Sequence, residues 1–454
     1  MLPTALKSIY QQYKADTDVV ANWLATTAYA RGYSSVGSDP PAKTPGTKAQ
    51  HVLAIKDFTP MAAHLANTAT LKVPHFFAVA IERAIRVRKA FSKKLAASGA
   101  FTDIESDSKH AYFVNVLEEV RNLLKPALEA GVFNAEELKN AETTTEKSKN
   151  PLTNVFGILG VYEPSDAFIN APDVVVPKTP ELEYIAESDK STDEAIFALT
   201  ALFDDYELLR TEITSLWAKY VAGSLDLAAV SVATNTAFEI ARALEDDIQP
   251  ILENNGGSER LVYTYFEALS SARGVEIMPK QRPYDAFNLE AYDIAKICLV
   301  NTQATLNRYR ADNPPNTTFI IYDGVFGWYD EALGASGETN RRKDEQDTTG
   351  LLEILTGLHF LCSHLGKGLV EDEMVRGMDA MMNAPWGSTT PLWFAWAAQI
   401  YLDILQNLGK DCDKGYHEMQ QEVFKIKKAM ADVPIKCPER NNVLGRLRDG
   451  IRIR

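Results

Sequence analysis

The feature that most constrains the fold is a long amphipathic stretch between residues 202 and 228. Its apolar side chains recur every three or four residues, which is the spacing of one face of an α-helix. These side chains are Leu202, Tyr206, Leu209, Ile213, Leu216, Trp217 and Tyr220. Charged residues such as Asp204, Glu207 and Arg210 lie off this stripe. The pattern predicts a helix that packs one face into a core and leaves the other in water.

Three blocks of the sequence carry a family resemblance. They are residues 10–33, 202–228 and 234–241, and each shows helical spacing of apolar side chains. In this order they resemble a large family of uncharacterised fungal proteins that share an N-terminal helical domain of unknown function. The resemblance implies a fungal origin and a helical fold. That family carries no agreed activity, cofactor or catalytic residue, so the resemblance implies none for this chain.

Composition limits the class of protein. With 454 residues, 46% hydrophobic and 24% charged, the chain is typical of a soluble globular protein. A net charge of -14 argues against a general role in binding DNA or anionic membranes, which require excess Lys and Arg. The longest apolar run, residues 391–402, is too short to cross a hydrocarbon layer of about 30 Å. We therefore predict no membrane span and no DNA partner.

Cysteine usage indicates the compartment. Cys298, Cys362, Cys412 and Cys437 lie far apart and form no C-x-x-C pair. This spacing favours free thiols in a reducing environment over a disulfide framework. The N-terminus also lacks the charged region followed by an apolar core that marks a signal peptide. We predict a cytoplasmic protein, with the nucleus as the alternative.

Helical periodicity recurs along most of the chain, so the predicted fold class is all-α, an irregular multi-helix body with long polar loops. The best strand candidate is residues 317–322, which are rich in β-branched and aromatic side chains. Residues 162–192 are acidic and contain prolines, which predicts a long exposed loop, and residues 334–348 are also polar. The glycine-containing turn at 254–258 favours a helical domain of residues 1–255, with a C-terminal helical region of residues 256–454 packed on it.

Motifs for catalysis, cofactors and metals are incomplete. The paired acids Asp204 and Asp205 lack the further acid of an aspartate-rich metal motif, since Leu208 stands at that position. His359 and Cys362 share a helical face but have no other ligands at suitable spacing for zinc. The sequence contains no P-loop, no dinucleotide-binding fingerprint and no nucleophile elbow. We therefore predict no catalytic residue, no cofactor and no metal ion.

A basic helix at residues 83–94 contrasts with the acidic chain. Arg83, Arg86, Lys89 and Lys93 lie largely on one face of this helix. One interpretation is a solvated face, or one paired internally with acids of the 162–192 segment, and charge runs on helices are usually of this kind. The other is that these residues bind an acidic partner, a phosphoinositide or RNA.

The helix at 391–405 is apolar nearly all round, which predicts a central core helix. Gln399 and Asp403 lie one turn apart within it and must be hydrogen-bonded if they are buried. They form either a structural network or the polar lining of an unrecognised active site. The function hypothesis that follows is a non-catalytic helical interaction or assembly protein, which binds another protein or itself. The alternatives are an enzyme with its site near Gln399 and Asp403, and a polyanion binder that uses residues 83–94.

Overall fold

The computed structural model is mostly helical, which confirms the all-α prediction. It describes residues 8–34, 49–68, 71–98, 104–129, 182–187, 191–275, 289–313, 340–365, 372–385 and 388–409, and the single residues 421 and 425. The predicted strand at 317–322 lies outside the described residues. The chain divides into two compact units, Met1–Leu202 and Phe203–Arg454.

The first unit is built around a long N-terminal helix. Its elements are α1 (Ile9–Ala30), β1 (Ala49–Leu53), a 3-10 turn (Ile55–Asp57), α2 (Phe58–Ala66), α3 (His75–Ser98), α4 (Ile104–Glu129), β2 (Leu182–Ala186) and the first part of α5 (Thr192–Val221). The Ser8 hydroxyl caps α1 by accepting the Gln11 backbone N–H at 2.9 Å. Helix α1 packs against α2, α3 and β2, and α2 packs against α4.

A short parallel sheet lies beside α1, and the sequence did not predict it. In this two-stranded sheet Ala49 lies opposite Leu182, and the register continues to Leu53 opposite Ala186. Two side chains of α1 accept hydrogen bonds from the backbone of β2. Asp18 Oδ1 accepts from the Ala186 N–H at 2.9 Å, and Asn22 Oδ1 accepts from the Tyr184 N–H at 3.0 Å. Because these residues are one turn apart, one face of the helix serves both N–H groups.

This sheet shortens the loop predicted at 162–192. Residues 182–186 form β2 and α5 begins at Thr192, while residues 162–181 and 188–190 lie outside the described residues. Five-residue strands are too short for a periodicity signal in an acidic, proline-containing context. The two strands are also far apart in the sequence, so no local sequence pattern indicates that they pair.

The second unit is a bundle of helices. Its elements are the rest of α5, α6 (Leu227–Asn254), α7 (Ser258–Ala272), a 3-10 turn (Leu289–Ala291), α8 (Tyr292–Ile297), α9 (Val300–Asp312), α10 (Asn340–Leu365), α11 (Glu373–Asn383) and α12 (Leu392–Leu408). Helix α6 packs against α7, α11 and α12. The boundary between these two units falls within α5.

Helix α10 starts earlier than the sequence indicated. The polar segment predicted at 334–348 is helical from Asn340 onward, and residues 334–339 lie outside the described residues. Asp347 is buried there, where it accepts hydrogen bonds from Tyr292 and Lys296. The polar composition of this segment does not indicate that Asp347 is buried, because its hydrogen-bond partners lie on another helix.

Helix α12 is the centre of the second unit. All of its residues from Leu392 to Ile400 are buried, as its apolar sequence predicts. Trp396 stacks on Tyr206 with ring centroids 5.1 Å apart and meets Phe238 edge-on at 5.9 Å. These aromatic contacts join α12 to α5 and α6.

The N-terminus of α12 is capped by a side chain from α6. Pro391 precedes the helix and supplies no side-chain cap. Instead, the Leu392 backbone N–H donates to Glu245 Oε1 at 3.0 Å, and the Trp393 N–H donates to Oε2 at 2.6 Å. A carboxylate is well suited to this place, because the first backbone N–H groups of a helix have no partner within it and carry partial positive charge.

Candidate functional site

A polar network of the second unit surrounds Gln399 and Asp403. Arg210 donates from Nε and Nη2 to the two oxygens of Asp403, at 2.6 and 2.8 Å. Its Nη1 lies 3.5 Å from Gln399 Oε1. The Gln399 amide nitrogen in turn donates to the Lys296 carbonyl at 2.8 Å and to Thr302 Oγ1 at 3.0 Å. The network therefore connects α5, α8, α9 and α12.

The sequence identified Gln399 and Asp403 but not the residue that joins them. Arg210 lies off the apolar stripe of α5, a position that predicts exposure to water. In the structure its guanidinium donates two parallel hydrogen bonds to the Asp403 carboxylate. This bidentate geometry requires the planar guanidinium of Arg. Arg210 and Asp403 are far apart in the sequence, so no local residue spacing could predict that they pair. Both polar groups of the predicted lining are bonded to Arg210.

A second cluster lies next to this network on α8 and α10. The Tyr292 hydroxyl and the Lys296 ammonium both donate to Asp347 Oδ2, the latter at 3.2 Å. Burial, reinforced by the Asp347 carboxylate, raises the pKa of Tyr292, so its hydroxyl keeps its proton. Burial and the neighbouring Asp347 also raise the pKa of Asp344. Lys296 belongs to both clusters, since its carbonyl accepts from Gln399.

An open groove runs between α10 and α12 beside these clusters. It has a volume of about 430 Å³, part of which is open to solvent. Its lining combines leucines, amides and carboxylates: Gln346, Asp347, Thr349, Gly350, Glu353, Leu402, Leu405 and Gln406. A Cβ at Gly350 would lie 2.9 Å from Leu402 Cδ2, so glycine lets the two helices approach at this point. Glu353 is half-buried there, and burial raises the pKa of its carboxyl.

The basic helix face belongs to α3 in the first unit. Arg83 donates from Nε and Nη2 to the two oxygens of Asp16, each at 2.5 Å, and Lys89 Nζ lies 2.5 Å from Glu118 Oε1. Arg86 and Lys93 are exposed. The counter-charges of the paired residues come from α1 and α4. Most of the 162–192 segment, whose acids were considered as partners in the sequence, lies outside the described residues.

Arg88, on the same helix, is buried in an aromatic cage. Its guanidinium carbon lies 4.2 Å from the ring centroid of Phe197 and 4.7 Å from that of Tyr13. It forms an ion pair with Glu194, which also accepts from the Tyr10 hydroxyl at 3.1 Å. Arg88 thus lies in the core of the unit. Its sequence context did not distinguish it from the exposed basic residues around it.

Metal ligation has no support in the described part of the chain, where no group of three His, Cys, Asp or Glu residues is placed to hold an ion. His359 Nδ1 lies 3.2 Å from the Tyr309 hydroxyl, and Cys362 Sγ donates to the Val375 carbonyl at 3.5 Å. Burial raises the pKa of the Cys362 thiol to about 11, which makes it a poor nucleophile near neutral pH. Among the described helices, none has the length and hydropathy needed to cross a membrane.

The ion pairs of α3 give a testable expectation. Replacing Arg83 with Gln should lower the free energy of unfolding by about 1–3 kcal/mol, because buried Asp16 loses a charged donor pair and keeps only the Gln12 amide. Replacing exposed Lys93 with Gln should change it by less than about 0.5 kcal/mol. Chemical denaturation followed by circular dichroism measures both variants. Equal stability of the two would mean that the Arg83 pair is only a surface contact.

Comparison with known proteins adds a family but no activity. A family model described as a family of unknown function, DUF6604, matches residues 11–250, which include nearly all of α1 and α6 and the described elements between them. No curated protein and no solved structure matches the chain. The match confirms the resemblance of the N-terminal part to a domain of unknown function. Since it extends over more than half of the sequence, the chain belongs to the DUF6604 family.

Proposed function

We propose that the protein is a non-catalytic helical interaction or assembly module that uses the groove between α10 and α12. The observation that carries the proposal is the lining of this groove. Leu402 and Leu405 supply an apolar floor, and Glu353 supplies a carboxylate beside it, while the carboxylate of Asp347 is paired with Lys296. An open groove between two helices with such a lining suits a segment of another protein with apolar and basic side chains.

The polar network supports this role over an active site at Gln399 and Asp403. A general acid or base must be able to reach the proton that it transfers. Here the Asp403 carboxylate is engaged by Arg210, and the Gln399 amide is engaged by Arg210, Lys296 and Thr302. Such mutual bonding is what a buried structural network requires.

The basic face of α3 offers less support for a polyanion site. Arg83 and Lys89 are neutralised by carboxylates of their own unit. A phosphate ligand would have to compete with Asp16 and Glu118 for these cations, and it would gain little from the exchange. The Glu353 carboxylate in the groove, in a chain with a net charge of -14, favours a basic protein segment as the partner.

The proposal includes the cytoplasm of a fungal cell as the place of action. Among the described residues, Cys298 and Cys362 form no disulfide, which supports a reducing compartment. The resemblance of the N-terminal blocks to fungal proteins supports the origin. Fractionation of cells that express a tagged full-length chain tests the compartment, and recovery with the secreted or organelle fraction would contradict it.

A charge reversal in the groove tests the proposed interaction. Glu353→Lys changes the charge of the lining and leaves its leucines in place, while Glu212→Lys makes the same change at an exposed position on α5. Each full-length variant serves as bait in a native lysate, and light scattering after size-exclusion chromatography measures self-association. We expect wild type and Glu212→Lys to recover the same partner or oligomer and Glu353→Lys to lose it.

Folding and retention are the controls of this experiment. Circular dichroism must show the same helical content for both variants, so that a lost partner reflects the groove. If Glu353→Lys recovers every partner and oligomer at the wild-type level, the groove is not the binding surface. If wild type recovers no partner and remains a monomer at all concentrations, the interaction role itself is wrong.

A further inference from the structure

The buried carboxyl of Glu245 has no counter-ion in the part of the chain that the structure describes. Glu245 is only 4% exposed, and both of its oxygens accept backbone N–H groups of Leu392 and Trp393. Among the described residues, no Lys, Arg or His forms an ion pair with it. Arg242, one turn earlier on α6, is bonded to Glu373 and Asp246 instead. The first turn of α12 is thus attached to α6 by an acid that must carry its charge in a dry site or take up a proton.

The surroundings of Glu245 make the charged form costly. The titratable groups on the helices around it include the acids and hydroxyl of Asp205, Tyr206, Asp246, Glu373 and Asp403 and the cations of Arg210, Arg242 and Arg376. Helix α7 adds Glu259 in its first turn. Glu373 and Asp403 are already paired with Arg242 and Arg210. No cation among the described residues is paired with Glu245, and the carboxylate is favoured by the two backbone N–H groups and the N-terminal dipole of α12.

We propose that Glu245 makes the attachment of α12 to α6 proton-linked, so that a rise in pH through the neutral range loosens this part of the second unit. This proton-linked attachment is separate from the proposed interaction role and does not depend on it. Protonation removes the buried negative charge and keeps one carboxyl oxygen as an acceptor for the first turn of α12. Ionisation restores two full acceptors but places an unpaired charge in the core.

The direction of the effect follows from the proton balance. Burial raises the pKa of Glu245 to about 7, against the opposing effect of the hydrogen bonds from Trp393 and Leu392. An exposed Glu has a pKa of about 4.3. Between this pKa and that of buried Glu245, the state with α12 attached binds more protons than the detached state. Stability from this group is therefore fully present at low pH and is lost as the pH rises through about 7.

Other groups of the unit titrate as well, and their directions differ. Burial lowers the pKa of His359, which makes stability rise with pH, opposite to Glu245. Burial raises the pKa of Asp247, Asp344 and Glu353, which gives the same sign as Glu245. A variant at position 245 is therefore needed to isolate its contribution, and Asp247→Asn is the matched control on the same helix.

Hydrogen exchange of the full-length chain tests the proposal. The opening equilibrium of the α12 amides, corrected for intrinsic exchange, should increase about tenfold between pH of about 6 and about 8 in wild type. Asp247→Asn should keep this increase, and Glu245→Gln should abolish it. The same tenfold increase in Glu245→Gln would overturn the proposal. If that variant does not fold, the wild-type measurement still decides, because an opening equilibrium that is constant or falls with pH would also overturn it.

Discussion

Replacing Trp396 with alanine is expected to lower the free energy of unfolding by about 3–5 kcal/mol. Trp396 is 2% exposed and lies between Tyr206 and Phe238, so its loss leaves a cavity where α5, α6 and α12 meet. Chemical denaturation, followed by far-ultraviolet circular dichroism, measures the change. Leu208→Ala is the control, because Leu208 is 63% exposed on α5 and should contribute less than about 0.5 kcal/mol.

A second substitution at the same position separates packing from hydrogen bonding. Trp396 Nε1 has no hydrogen-bond partner within the described part of the chain. Trp396→Phe should therefore lose contact area but no hydrogen bond, and it should destabilise clearly less than Trp396→Ala. A loss below about 1 kcal/mol for Trp396→Ala would show that α12 is not the core of its unit.

Removing Glu194 should destabilise the first unit by about 3–5 kcal/mol, because it leaves the charge of Arg88 buried without its counter-ion. Both side chains are almost inaccessible, at 5% exposure for Arg88 and 1% for Glu194. The rings of Phe197 and Tyr13 interact favourably with the guanidinium but cannot replace a carboxylate. Glu194→Ala, measured by chemical denaturation, is the direct test.

A double variant distinguishes the buried charge from lost packing. Arg88→Met with Glu194→Ala removes both charges and keeps much of the arginine volume. We expect it to be more stable than Glu194→Ala alone, since replacing a buried pair with apolar side chains is often neutral. If the two substitutions simply add, packing accounts for the loss and the ion pair contributes little.

Local patterns were sufficient for the elements that depend on spacing. The burial of α12 follows from its apolar run, and α5 and α6 follow from stripes every three or four residues. These signals lie within one element, so a single sequence contains them. Even there the start of α10 was missed, because the burial of Asp347 depends on Tyr292 and Lys296 of α8.

Contacts between residues that are far apart in the chain could not be predicted from the sequence. It contains many acids that could have met Arg83, and Asp16 was not distinguishable from those of the 162–192 segment. The same holds for Arg210 with Asp403 and for Glu245 with the first turn of α12. Charge pairing depends on the tertiary arrangement of helices, and a charged side chain looks alike in the sequence whether it is paired, buried or solvated.

The two side chains of α1 that accept from β2 have a consequence for assembly. An unpaired strand edge invites other chains to add strands and is a common origin of aggregation. In this sheet Asp18 and Asn22 already occupy the Ala186 and Tyr184 donors. An incoming extended peptide would have to displace a carboxylate and an amide before it could form its first backbone bonds. Helix α1 thus protects this edge of β2 from strand addition.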